Sequence, residues 1–201
     1  MSAMPVVAAE EIIRAGRRMD RRGWVPATAG NISVRIGGER IAITRSGGHK
    51  GFLDGFGVIE VDLDGRAVTP DARPSAETTL HCQIYRAFPQ VNAVLHGHSV
   101  ANTVLSLEEA GPALRFTGYE VQKIFQGQTT HEATLALPLF DNDQDIARLA
   151  GVIAPHLVDA TMGYLIRGHG AYVWGPDMDM ALARLEGLEF LLSCALERRR
   201  R

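Results

Sequence analysis

The stretch Leu95-His96-Gly97-His98-Ser99 restricts the fold more than any other part of the chain. It follows the aliphatic run Val91-Asn92-Ala93-Val94-Leu95, preceded by Phe88-Pro89, which reads as a buried strand. Side chains alternate faces along a strand, so His96 and His98 point the same way and the glycine between them adds no bulk. A third histidine, His169, closes the segment Tyr164-Leu165-Ile166-Arg167 and is flanked by Gly168 and Gly170. A lone histidine at a strand end is more often a hydrogen-bonded surface residue than a ligand. A His-x-His pair together with a glycine-flanked third histidine reverses that expectation, because three neutral imidazoles with a position left open suit a catalytic zinc or related divalent ion. The chain must then bring distant segments together at one point. His49, His81, His131 and His156 have no such paired setting and read as structural or surface residues.

The rest of the pattern alternates helices with short strands. Ile12, Ile13, Ala15 and Met19 predict an amphipathic helix over about 7–22 that stops near Gly23. Residues 27–35 run into an alternating strand, and Ile41-Ala42-Ile43-Thr44 completes a hairpin after a Gly-Gly turn. The loop Arg45-Ser46-Gly47-Gly48-His49-Lys50-Gly51 can converge backbone N–H groups, a hydroxyl and a charge on an anion, although most glycine-rich turns are only turns. Residues 58–62 read as a strand, and a helix is expected from Ser75, as N-cap, to about Arg86. Its first amide groups again favour an anion. Further helices are expected over about 99–107, 143–156 and 178–197, with strands over 134–140, 164–167 and 171–174, the last two forming a hairpin around Gly-His-Gly. Glu120 is expected on a short helical turn. Together these elements predict one mixed α/β layered domain over residues 1–201.

Composition narrows the function. With 46% hydrophobic and 22% charged residues and a formal net charge of −2, the chain shows no polyanion-binding character. No aromatic platform interleaved with basic residues argues for nucleic acid. The exception, Arg198-Arg199-Arg200-Arg201, ends a predicted helix, where cations suit the negative pole, and reads as a solvated tail. Two separated cysteines, Cys82 and Cys194, fit a reducing compartment, and no apolar span of membrane length or signal peptide appears, so a cytoplasmic protein with no membrane partner is expected.

Thr28-Ala29-Gly30-Asn31-Ile32-Ser33, Ser46-Gly47-Gly48, Pro74-Ser75-Ala76-Glu77, His96-Gly97-His98 and Arg167-Gly168-His169-Gly170 occur in an order and spacing that resemble the class II aldolase and adducin family over nearly the whole chain. The resemblance implies an α/β/α layered fold with a central, mainly antiparallel sheet. It also implies one divalent ion per subunit, most naturally Zn2+, on His96, His98 and His169, and a homotetramer with sites between subunits. Phosphate binding is implied for Gly30, Asn31, Ser46, Gly47 and Ser75, while Lys50 either adds charge or is exposed.

Within the family, Pro-Ser-Ala-Glu-Thr, Tyr119-Glu120-Val-Gln-Lys-Ile and His169-Gly-Ala-Tyr-Val-Trp-Gly175 resemble the branch that dehydrates 5-methylthioribulose 1-phosphate in methionine salvage. That branch implies Glu120 as acid/base group. The aldolase branch gives the role to the glutamate matching Glu77, which is otherwise expected to contact substrate or lie near the metal. Both glutamates also have ordinary readings, one favouring a helix dipole and the other solvated. The alternatives are an aldolase or epimerase for fuculose or ribulose phosphate, and a non-catalytic adducin-like module, which would have lost the metal ligands this chain retains.

Overall fold

The computed structural model describes residues 6–200; Arg201, at the end of the basic tail, lies outside the described residues. Among these residues eight strands form one sheet: β1 (Asn31–Gly37), β2 (Arg40–Thr44), β3 (Val58–Asp62), β4 (Ala93–Gly97), β5 (Ala113–Phe116), β6 (Leu135–Phe140), β7 (Tyr164–Ile166) and β8 (Gly170–Gly175). Their order is β3-β2-β1-β4-β8-β7-β6-β5. Every pairing is antiparallel except β6 with β7. The expected layered α/β architecture with a mainly antiparallel sheet is therefore the observed one.

Among the described residues five α-helices cover the sheet: α1 (Val6–Arg21), α2 (Thr78–Ala87), α3 (Val100–Glu108), α4 (Ile146–Ile153) and α5 (Met178–Arg199). Alternation along the strands splits the interior in two. Ile32, Leu95 and Val173 face α1, α3 and α5, joining Ile12, Met19, Leu105, Leu185 and Leu188. Val94, Tyr172 and Trp174 face the other way, joining Leu80, Ile84 and Tyr85 of α2 and Leu149 and Ile153 of α4. Ser99, Asp145 and Asp177 begin α3, α4 and α5, each accepting a backbone N–H of the first turn.

Two expectations are corrected. Ser75 is not the cap of α2: the helix begins at Thr78, Glu77 occupies the cap position without a side-chain cap bond, and Ser75 Oγ accepts only a long 3.4 Å bond from Glu77 N. The Glu77 carboxylate meets His169 and does not cap the helix. The segment before Glu120 also contains β5, an edge strand whose pairing with β6 a local reading does not reveal. Glu120 itself lies on a short 3-10 turn over Glu120–Ile124, as expected. At the C-terminal end Arg198, Arg199 and Arg200 are exposed, as expected of a solvated tail, with Arg199 paired to Glu108 and Glu109 and Arg198 donating to the Tyr119 hydroxyl. Among the described residues no helix is long and apolar enough to cross a membrane.

Candidate metal centre

The central strand β4 carries His96 between β1 and β8. In antiparallel pairs, opposed residues share a face. The register therefore sets Asn31, His96, Tyr172 and Tyr164 in one row on the α2 side. The His96 ring stacks on Tyr172 at 4.0 Å. Gly97 ends β4, so His98 comes immediately after it, and the tight β7–β8 connection swings His169 across to meet both. Gly170 is required for this approach: a Cβ there would lie 2.4 Å from Gly97 O and 2.8 Å from His96 Cε1.

One ligand nitrogen from each of His96, His98 and His169 lies within 4.8 Å of the others. His96 Nδ1 donates to Ala171 O at 3.0 Å, which fixes the tautomer and leaves Nε2 as a lone pair. Nε2 of His96 and Nε2 of His98 are buried with no hydrogen-bond partner. Two buried acceptors without donors are costly unless something positive sits between them. Burial also pushes the His96 imidazolium well below its ordinary range, and burial with the neighbouring His169 brings His98 down to about 4. The rings are thus held neutral, as metal ligands must be. The donor set fits a divalent transition metal with three imidazoles.

Glu77 closes one side. Its Oε1 meets His169 Nε2 at 2.8 Å, its Oε2 lies 3.9 Å from His96 Nε2, and Asn31 Nδ2 donates to the same carboxylate. Burial favours the neutral acid here, but the hydrogen bond from His169 and the positive charge the three imidazoles carry when protonated outweigh it, and the carboxyl falls to about 2. On its other side His169 Nδ1 lies 3.3 Å from Asn142 Oδ1.

The other sequence-derived residues fall into two groups. Gly30 and Asn31 open β1 against the metal strand; a Cβ on Gly30, at φ +81°, would lie 2.6 Å from His96 O. Ser46 lies on the loop after β2 and lines a cavity of about 720 Å³ with Arg45, Arg73, Pro74 and Ala76, so the Ser46-Gly47 loop faces the segment holding Ser75. Glu120 stands apart. It is exposed, and its ion-pair partners are Lys123 at 2.6 Å and His131 at 3.8 Å, none of them in the histidine group. His49 caps a short 3-10 turn and His81 is fully buried with Nδ1 against Ser33 Oγ, both structural as expected.

Glu189 was not anticipated. It is buried on α5, where it falls on the apolar stripe of Leu185, Leu188 and Leu192, a signal the sequence did carry. Asn102 Nδ2 donates both to Glu189 Oε1 at 3.1 Å and to Gly97 O at 3.2 Å, so the carboxyl braces the backbone between the two strand histidines. Burial pushes it up to about 7 from an ordinary 4.5. A folded-state value above the unfolded one gives stability that is complete below pH 4.5 and is lost as pH rises through 7. Glu189→Gln, which does not titrate, is expected to gain thermal stability relative to the parent between pH 5 and pH 8, by at most about 3 kcal/mol. A gap between the two melting curves that does not change with pH would remove Glu189 from this account.

The family described as class II aldolase and adducin N-terminal domain matches residues 10–196. A methylthioribulose-1-phosphate dehydratase of Gluconacetobacter diazotrophicus is 68% identical over 193 residues, 96% of this chain and 94% of its own. One of Gluconobacter oxydans is 64% identical over 191 residues, 95% of this chain and 92% of its own. Among solved structures, L-fuculose-1-phosphate aldolase from Thermus thermophilus superposes with a TM-score of 0.77 at 25% identity, covering 96% of this chain and 94% of its own. YgbL from Escherichia coli superposes at 0.79 with 27% identity, covering 92% and 86%. On sequence and fold alike, the chain belongs to the class II aldolase and adducin family.

Proposed function

We propose that this chain is a metal-dependent lyase that dehydrates 5-methylthioribulose 1-phosphate to 2,3-diketo-5-methylthiopentyl 1-phosphate, a step of methionine salvage. The observation that carries the reading is the trio of convergent imidazoles, two with unpartnered Nε2 atoms, in a chain 68% identical to a relative bearing that activity in its name. Zn2+, one per subunit, suits three nitrogen donors that leave a coordination position open.

The reaction removes the proton on the carbon beside the carbonyl and the hydroxyl on the next carbon, and the resulting enol becomes the diketone. When bound, the ion supplies fixed positive charge at the carbonyl and adjacent hydroxyl oxygens, where negative charge builds. The protein's part is placement and proton transfer. His96 is held in one tautomer by Ala171 O, and Glu77, gripped by Asn31, stands beside the Nε2 atoms of His96 and His169 that would face the ion. Held in this way beside the metal position, Glu77 is assigned to substrate contact. Glu120 takes the carbon-bound proton and returns it to the departing hydroxyl, so one carboxylate serves as base and then acid. Because its own neighbours are Lys123 and His131, we assign Glu120 to the site of an adjacent copy in a homotetramer. Gly30, Asn31, Ser46, Gly47 and Ser75 receive the phosphate through N–H and hydroxyl donors. The free thiols of Cys82 and Cys194 fit a reducing cytoplasm.

The fold shared with L-fuculose-1-phosphate aldolase supports a second reading, carbon–carbon cleavage or epimerisation of another sugar phosphate. Incubation with 5-methylthioribulose 1-phosphate, fuculose 1-phosphate and ribulose 5-phosphate separates the two by mass. The first is expected to lose one water and stay in one piece. Two fragments or an epimer from either of the others, with the first untouched, would establish the second reading.

A further inference from the structure

The chain has only two lysines, Lys50 and Lys123, among 21 basic residues. Lys123 is a surface residue paired with Glu120. Lys50, at the end of the Ser46-Gly47-Gly48 loop, is 1% exposed. Its Nζ donates to Thr28 O at 2.6 Å and to Gly48 O at 2.7 Å. Thr28 leads into the Gly30-Asn31 turn and Gly48 ends the Ser46-Gly47 turn, so one ammonium ties together the two segments read above as phosphate donors. Among the described residues no carboxylate lies within ion-pair distance of it; Glu77 acts on it only at longer range.

A buried cation satisfied only by neutral carbonyls is unusual, because ions are normally buried with a counter-charge. An ammonium has three donors, and the two carbonyls use two of them. Burial correspondingly lowers Lys50 to about 8. An anion held by the two loops completes the missing pairing.

We infer that Lys50 is a positioning residue for the phosphate of the substrate, setting the spacing of the Gly30-Asn31 and Ser46-Gly47 turns and supplying the buried positive charge they share. The inference rests on the reading of those turns as the phosphate site, and its test is read without turnover. With only two lysines, the metal-loaded protein labelled with 13Cε-lysine gives two resonances, one buried and one exposed. Saturating inorganic phosphate is expected to move the Lys50 signal, leave that of Lys123 in place, and lose the effect in Ser46→Ala. Lys50→Met is expected to weaken inorganic phosphate by about tenfold or more and to raise KM for the phosphorylated ketose in parallel, with kcat and metal content nearly unchanged. A Lys50 resonance indifferent to phosphate overturns the inference. So does a shift that persists in Ser46→Ala, or a Lys50→Met protein that melts earlier yet binds phosphate as the parent does. If Lys50→Met does not fold, the resonances of the parent and of Ser46→Ala decide the matter. A phosphate-dependent Lys50 shift in a protein inert toward 5-methylthioribulose 1-phosphate would refute the lyase reading and leave this one standing.

Discussion

Replacing His96 by alanine is expected to remove metal and activity together, with turnover falling by about 10³-fold or more, at least the scale on which loss of one preorganised charge-stabilising group is felt. The reason lies in what its second nitrogen faces. His96 is fully buried, fixed through Nδ1 to Ala171 O, and its Nε2 has no partner other than the space shared with His98 and His169. The fully buried His81 makes the matched control. Its Nδ1 is likewise bonded, to Ser33 Oγ at 2.8 Å, and its Nε2 is likewise unpartnered, but it stands outside the histidine group. His81→Gln is therefore expected to cost stability while the protein still binds its ion. Metal analysis of both purified variants, followed by thermal unfolding, checks the contrast. An ion retained at full occupancy in His96→Ala would show that the three rings do not hold it.

Much of this centre was legible because it is written in strand geometry. Alternation sets His96 on one face and glycines mark where backbones must approach, so His-Gly-His and Gly-His-Gly announce convergence before any fold is known. Period and end signals likewise gave the order of helices and strands. What stayed hidden depends on which distant loops meet. Lys50 looks like an ordinary loop cation until Thr28 O and Gly48 O are seen to close around it. Ser75 has the residue type and position of a cap, and nothing local reveals that Glu77 meets His169 and that the helix begins only at Thr78. The edge strand β5 depends on a partner strand that begins only at Leu135. Glu189 differs from these, since a carboxylate on a leucine stripe is visible in the sequence once helical period is applied to α5.

Glu120→Gln is expected to keep the metal and the fold but to lose about 10²–10⁴-fold in turnover, the usual worth of a positioned proton-transfer group. Substituting an exposed side chain whose contacts are Lys123 and His131 disturbs little within its own subunit, so a loss of this size requires that the carboxylate act elsewhere. Mixing tests that directly. If the metal half of a site comes from one copy and Glu120 from the next, His96→Ala and Glu120→Gln proteins, each inactive, form hybrid assemblies after joint refolding or co-expression. Some interfaces then join intact histidines from one variant to an intact Glu120 from the other. Random pairing of equal amounts makes about a quarter of the sites complete, and activity is expected to return toward that fraction. If Glu120 serves its own subunit, every site in the mixture lacks one of the two groups and the hybrids stay inactive. The companion variant Glu77→Gln separates the two carboxylates. It removes the partner of His169 and Asn31, so its effect should appear first as weakened metal retention. A Glu120→Gln protein with full turnover beside an inactive, metal-replete Glu77→Gln would instead assign the proton transfer to Glu77.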